Sequence, residues 1–124
     1  MNELVLSALG HTWIIDLDGT IVKHNGYKLD GVDSFLPGAK EFLSNIPNKD
    51  MIIFLTSRKE EYRSTTEKFL KENSIRYDHI IFGAPYGERI LINDDKPSDL
   101  KMSVAICGKR DKLLLPKIIE DSNL

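Results

Sequence analysis

Met51–Leu55 reads Met-Ile-Ile-Phe-Leu, apolar at every position, so a strand over these residues carries hydrophobic side chains on both faces. Such a strand belongs in the middle of a buried sheet. Shorter apolar runs at residues 12–17, 79–82, 90–92 and 104–106 have the length and residue types of further strands. The stretches between them are helical in spacing. Ala39, Phe42, Leu43 and Ile46 recur at helical intervals behind Pro37 and Gly38, which suit a first turn. Residues 59–73 are rich in Glu and Lys, carry Tyr62, Phe69 and Leu70 on one face, and stop at Asn73 and Ser74. Strands alternating with helices predict an α/β fold with a mainly parallel central sheet, a three-layer Rossmann-like domain. Right-handed crossovers are expected to put the helices on opposite or alternating faces and to leave the chemistry at the strands' carboxyl ends.

With 124 residues the chain is expected to form one domain, residues 1–124, that buries roughly two-thirds of its unfolded surface. Seventeen Lys and Arg against 19 Asp and Glu leave a formal charge of -2, which argues against electrostatic capture of nucleic acid. Cys107 is the only cysteine and has no partner for a disulfide. No charged leader and no run of membrane-spanning length is present, so a cytoplasmic protein with no membrane partner is expected. Residues 23–36 form the longest loop, which is either a working loop over the site or plain surface.

Three strand ends carry the chemistry. The first ends in Asp16, Leu17, Asp18, Gly19 and Thr20, where two carboxylates spaced by two leave the strand on one side and a glycine turns the backbone. Two acids in one small space call for a hard, oxygen-seeking cation, so Mg²⁺ is the expected cofactor. The second strand ends in Thr56, Ser57 and Arg58 at a helix start, where hydroxyls and free N–H groups suit phosphate oxygens. These three are the expected substrate-binding residues, although Thr-Ser before a helix is also a common cap. The run 90–92 leads into Asn93, Asp94, Asp95, Lys96 and Pro97, which brings two more acids for the metal.

With those strand ends the chain resembles, over nearly its full length, the haloacid dehalogenase superfamily of phosphohydrolases. The resemblance implies that Asp16 is the nucleophile of a Mg²⁺-dependent phosphomonoester hydrolase and becomes a transient aspartyl-phosphate. Asp18 is then the general acid and base, Thr56 holds the phosphoryl group, and Asp16, Asp18, Asp94 and Asp95 supply the metal's oxygens. Many relatives carry a Lys before the fourth strand. The matching stretch here, Phe82, Gly83, Ala84 and Pro85, offers Ala84 instead, leaving Arg89 or Lys96 as the catalytic cation. No insertion is long enough for the cap domain that relatives usually carry, so the expected site is open, shielded by a homo-oligomer or serving many substrates. The segment from Tyr77 through Arg89 to Asp94 is similar to small phosphatase-like proteins of surface-carbohydrate synthesis, which implies a sugar or polyol phosphate. Two other readings compete: a receiver-like phosphoacceptor signalling module and a catalytically silent binding protein on the same fold. A receiver's phosphorylated Asp sits on a later strand, whereas here the Asp-x-Asp pair leads into Gly-Thr on the first.

Overall fold

The computed structural model describes residues 2–124. Its strands are β1 (Glu3–Ser7), β2 (Thr12–Asp16), β3 (Met51–Leu55), β4 (His79–Ile81) and β5 (Lys117–Asp121). The helices are α1 (Gly26–Leu29), α2 (Ala39–Ser44) and α3 (Arg63–Glu72), the last led in by a 3-10 turn at Glu60–Tyr62. Every ladder is parallel: β2, β3 and β4 lie side by side in that order, and β1 pairs with β5 in a second, two-stranded sheet. The fold is α/β, built on parallel sheets.

β3 is the central strand, as its apolar run requires. Ile52 and Phe54 on one face are fully buried and share a core with Leu43 of α2, Leu70 of α3, Leu17, Ile21 and Ile80, with Trp13 and Ile15 packed against it. Burying each of the larger side chains contributes about 1.5–3 kcal/mol. Both helices therefore cover the same face, not opposite ones. Two crossovers that step the same way across a sheet with one handedness return to the same side. On the other face Ile14 and Ile81 stay half exposed.

α3 ends where its sequence says. Asn73 Nδ2 donates to the Phe69 carbonyl at 2.8 Å, and Ser74 takes the left-handed backbone (φ 57°) that closes a helix.

Two expected strands do not form. Residues 90–92 and 104–106 are irregular, with Ile90 and Ile92 almost fully exposed. A run of three apolar residues gains little as a strand unless it finds both an edge to pair with and a surface to cover it. The chain ends form the second sheet instead: Leu4, Val5 and Leu6 align with Ile118, Ile119 and Glu120. This sheet is fastened to the rest through Lys49, whose Nζ donates to the Ala8 carbonyl at 2.9 Å and pairs with Glu120 at 2.7 Å.

The loop at 23–36 is closed at its neck, where Lys23 N donates to Ser34 O at 3.0 Å and Leu36 N to Ile21 O at 2.9 Å. The four-residue α1 lies within it.

Candidate active site

The ladder register aligns three strand ends, because Asp16 stands beside Leu55 and Leu55 beside Ile81. Whatever follows these residues meets at one edge. Asp16 is the last residue of β2, on the same face as Ile14, and its side chain keeps 36 % of its surface in solvent. Its Oδ2 accepts a hydrogen bond from the Thr20 hydroxyl at 3.2 Å, and Arg89 Nη1 stands 3.9 Å from its Oδ1. Burial pushes the Asp16 carboxyl above its ordinary range; the Thr20 bond and the Arg89 charge pull the other way without cancelling it, and Asp18 adds to the rise. Arg89 Nη2 also donates to Ser57 Oγ at 3.2 Å. Asp16, Arg89 and Ser57 thus form one reachable group.

The remaining strand-end residues are turned elsewhere. Thr56 is buried, and its hydroxyl accepts the Arg58 N–H at 3.1 Å, so it acts as a cap inside its own turn. Thr56 O and Arg58 O accept from Ala84 N (3.0 Å) and Gly83 N (2.7 Å), which seats the 83–84 turn on this one. The hydroxyl that faces the edge is Ser57's. Arg58, expected to meet substrate, is 4 % exposed and fully engaged within the protein. Its Nε and Nη2 donate to Asp18 (2.9 and 3.0 Å), its Nη1 and Nη2 to Asp33 (2.9 and 2.7 Å), and Nη1 also to Thr66 Oγ1 (2.9 Å). The Tyr27 ring lies over the guanidinium at 3.9 Å. Burial works against this charge, but the bonds to Asp33 and Asp18 outweigh it and hold the guanidinium more firmly protonated than usual.

Asp18 consequently has both carboxylate oxygens accepting from Arg58. Asp94 and Asp95 lie in the exposed irregular stretch, where Asp95 is taken by Lys101 Nζ at 2.7 Å and by the Met102 N–H at 3.3 Å. Lys96 is exposed in a neighbouring turn and pairs with no carboxylate among the described residues. Of the two candidate cations, the one brought to Asp16 is Arg89.

The expected Mg²⁺ finds no fitting shell in this arrangement. Asp16 is the one open carboxylate at the edge, Asp18 is spoken for, and among the described residues no group of three or more His, Cys, Asp or Glu side chains is placed to hold a metal ion.

Sequence reasoning passed over Asp33, Tyr27 and Thr66, the partners of Arg58. The only signal was the length of the 23–36 loop, which singles out neither Asp33 nor Tyr27.

No helix among the described residues is long and apolar enough to cross a membrane. Compared with known proteins, the chain matches no family model and no curated protein. It is similar to one chain in the solved structure of a Pnkp1/Rnl/Hen1 complex, at 27 % identity and a TM-score of 0.52. That match covers 67 % of this chain but only 31 % of the other, less than a third of its length. The resemblance to the haloacid dehalogenase superfamily, and with it the likeness to surface-carbohydrate phosphatases, is corrected by these comparisons: no family model supports it, and the similarity found is to a chain of the Pnkp1/Rnl/Hen1 complex.

Proposed function

We propose that this chain hydrolyses phosphomonoesters, with the Asp16 carboxylate attacking phosphorus. The observation that carries this reading is a half-desolvated carboxylate at the carboxyl edge of a parallel sheet, with the Arg89 guanidinium 3.9 Å away and the Ser57 hydroxyl held to Arg89 at 3.2 Å. Phosphoryl transfer asks chiefly for positioning and charge neutralisation, and these three groups supply a nucleophile, a cation and a hydroxyl. An Asp16 oxygen bonds to phosphorus as the ester P–O bond breaks and the electron pair leaves with the alkoxide. Solvent, which reaches this open edge, protonates the alkoxide. Water then attacks the aspartyl-phosphate, releasing inorganic phosphate and the free carboxylate. Arg89 offsets charge on the equatorial oxygens in both steps. Asp18 contributes by fixing Arg58 and the 18–20 turn.

The test is turnover of an aryl phosphate by the wild-type protein and by Asp16→Asn, assayed with and without Mg²⁺, together with mass analysis for a phosphorylated intermediate. Wild-type turnover lost in the variant is expected. Undiminished turnover in Asp16→Asn overturns the mechanism, and stoichiometric phosphorylation without turnover identifies a phosphoacceptor module instead.

A further inference from the structure

Residues 108–112 read Gly-Lys-Arg-Asp-Lys, a tight turn closed by Lys112 N donating to Lys109 O at 3.0 Å. This turn is pinned against the Asp16–Thr20 turn of the candidate active site. Asp111 N donates to Gly19 O at 2.9 Å, and the Asp111 carboxylate accepts the His24 N–H at 2.8 Å. Arg110 lies so close over Gly19 that a Cβ there would meet its Cγ at 3.0 Å. The single acid of the turn is thereby spent on anchoring, in a left-handed conformation (φ 62°). Lys109, Arg110 and Lys112 are left exposed, and among the described residues none of them pairs with a carboxylate.

Folding does not account for these charges. The turn is held by the Asp111 backbone and carboxylate and by the Arg110 stem, and three like charges in four residues repel one another. They also stand out against a chain whose net charge is -2. From this position beside the catalytic turn we infer that Lys109, Arg110 and Lys112 bind a second phosphate of the substrate. The inference rests on the phosphomonoesterase reading and narrows its substrate to a phosphomonoester that bears another phosphate group nearby. An arginine fork and two ammonium groups match phosphate oxygens in charge and geometry. That second phosphate belongs to a small bisphosphate or to the phosphodiester backbone of an oligonucleotide, and the experiment separates the two.

kcat/KM is measured on two matched pairs: glucose 6-phosphate against glucose 1,6-bisphosphate, and thymidine 3′-phosphate against a short oligothymidylate ending in a 3′-phosphate. In one pair the second phosphate raises kcat/KM by about tenfold or more, and the pair that responds names the source. The gain shrinks with added salt, because the three cations are exposed. In the triple variant Lys109→Gln, Arg110→Gln, Lys112→Gln, checked for an unchanged melting temperature, the ratio within that pair falls to about 1. Should the triple variant melt early, Lys112→Glu alone replaces it. A wild-type enzyme indifferent to the second phosphate in both pairs, or a preference that survives the variant, overturns the inference. Calorimetric titration of the bisphosphate and the oligonucleotide into Asp16→Asn, with and without the three substitutions, judges the turn even if no hydrolysis occurs: roughly tenfold weaker binding without the cations supports it, and equal binding overturns it.

Discussion

At Asp16 burial and charge pull in opposite directions, and burial prevails. Its folded value lies above the ordinary 3.8, so the folded protein holds that proton more tightly than the unfolded chain does. The favourable contribution of the protonated form is complete below 3.8 and is lost as pH rises through the raised folded value. Above that value the carboxylate is in the ionised form, which burial penalises. Asp16→Asn is therefore expected to be inactive but to melt above wild type at pH 7, with the gap closing as pH falls below the carboxylate range; thermal denaturation as a function of pH checks it. The fold separates the two candidate cations: Arg89 Nη1 stands 3.9 Å from Asp16 Oδ1, whereas Lys96 pairs with no carboxylate among the described residues. Arg89→Met should lower kcat about 10²-fold, the cost of removing one preorganised charge from a transition state. Lys96→Met should stay near wild type, because its ammonium meets no partner at the edge. A full-activity Arg89→Met would remove this cation from the mechanism.

At the level of elements, Arg58 is the fastener. One guanidinium joins the turn after β3 to Asp18 after β2, to Asp33 of the 23–36 loop and to Thr66 of α3, with Tyr27 from the same loop stacked above. The loop is thus bolted to the Asp16–Thr20 turn. Replacing Arg58 by Met leaves two carboxylates, 15 % and 5 % exposed, without their counter-charge. Removing one partner of a buried ion pair typically costs about 3–5 kcal/mol, so Arg58→Met should lose about that much in a denaturant titration. A loss below 1 kcal/mol would be that of a surface pair and would mean that the cluster is not buried in solution. The loop's role was not visible beforehand, since Asp33 and Arg58 stand 25 residues apart and neither lies in a periodic pattern.

Across the whole molecule, the two sheets meet at a joint built on Asp50. Its buried carboxylate accepts from His11 N, His11 Nδ1 and Trp13 Nε1 at 3.0, 3.0 and 2.9 Å, while His11 Nε2 reaches Ser7 O at the end of β1 at 2.9 Å. Burial pushes the Asp50 carboxyl up, but these N–H groups outweigh it and hold it below its ordinary range. A folded value below the unfolded one contributes stability that is present above 3.8 and lost as pH falls through the folded value. Asp50→Asn should therefore cost about 1–3 kcal/mol at neutral pH, the penalty for spoiling a buried hydrogen-bond acceptor, and match wild type in acid. Parallel pH series of denaturant midpoints would show it, and a pH-independent difference would mean that packing, not ionisation, carries the joint.

What the sequence by itself determined is what repeats over a few residues. The apolar run of β3, the flanking strands β2 and β4, the helical spacing of α2 and α3, and the placing of Asp16, Asp18 and residues 56–58 at strand ends are all local patterns, legible because period and turn chemistry act within one element. Partner choice was decided only by the tertiary structure. Thr56 turns inward and Ser57 outward, Arg58 goes to Asp18 and Asp33 and not to solvent, Arg89 and not Lys96 approaches Asp16, and the chain ends pair as β1 and β5 while residues 90–92 do not form a strand. Each of these depends on which distant group offers a hydrogen bond, a charge or a covering surface at contact distance. Burial and partners exist only once the chain has closed on itself, so no spacing along the sequence encodes them.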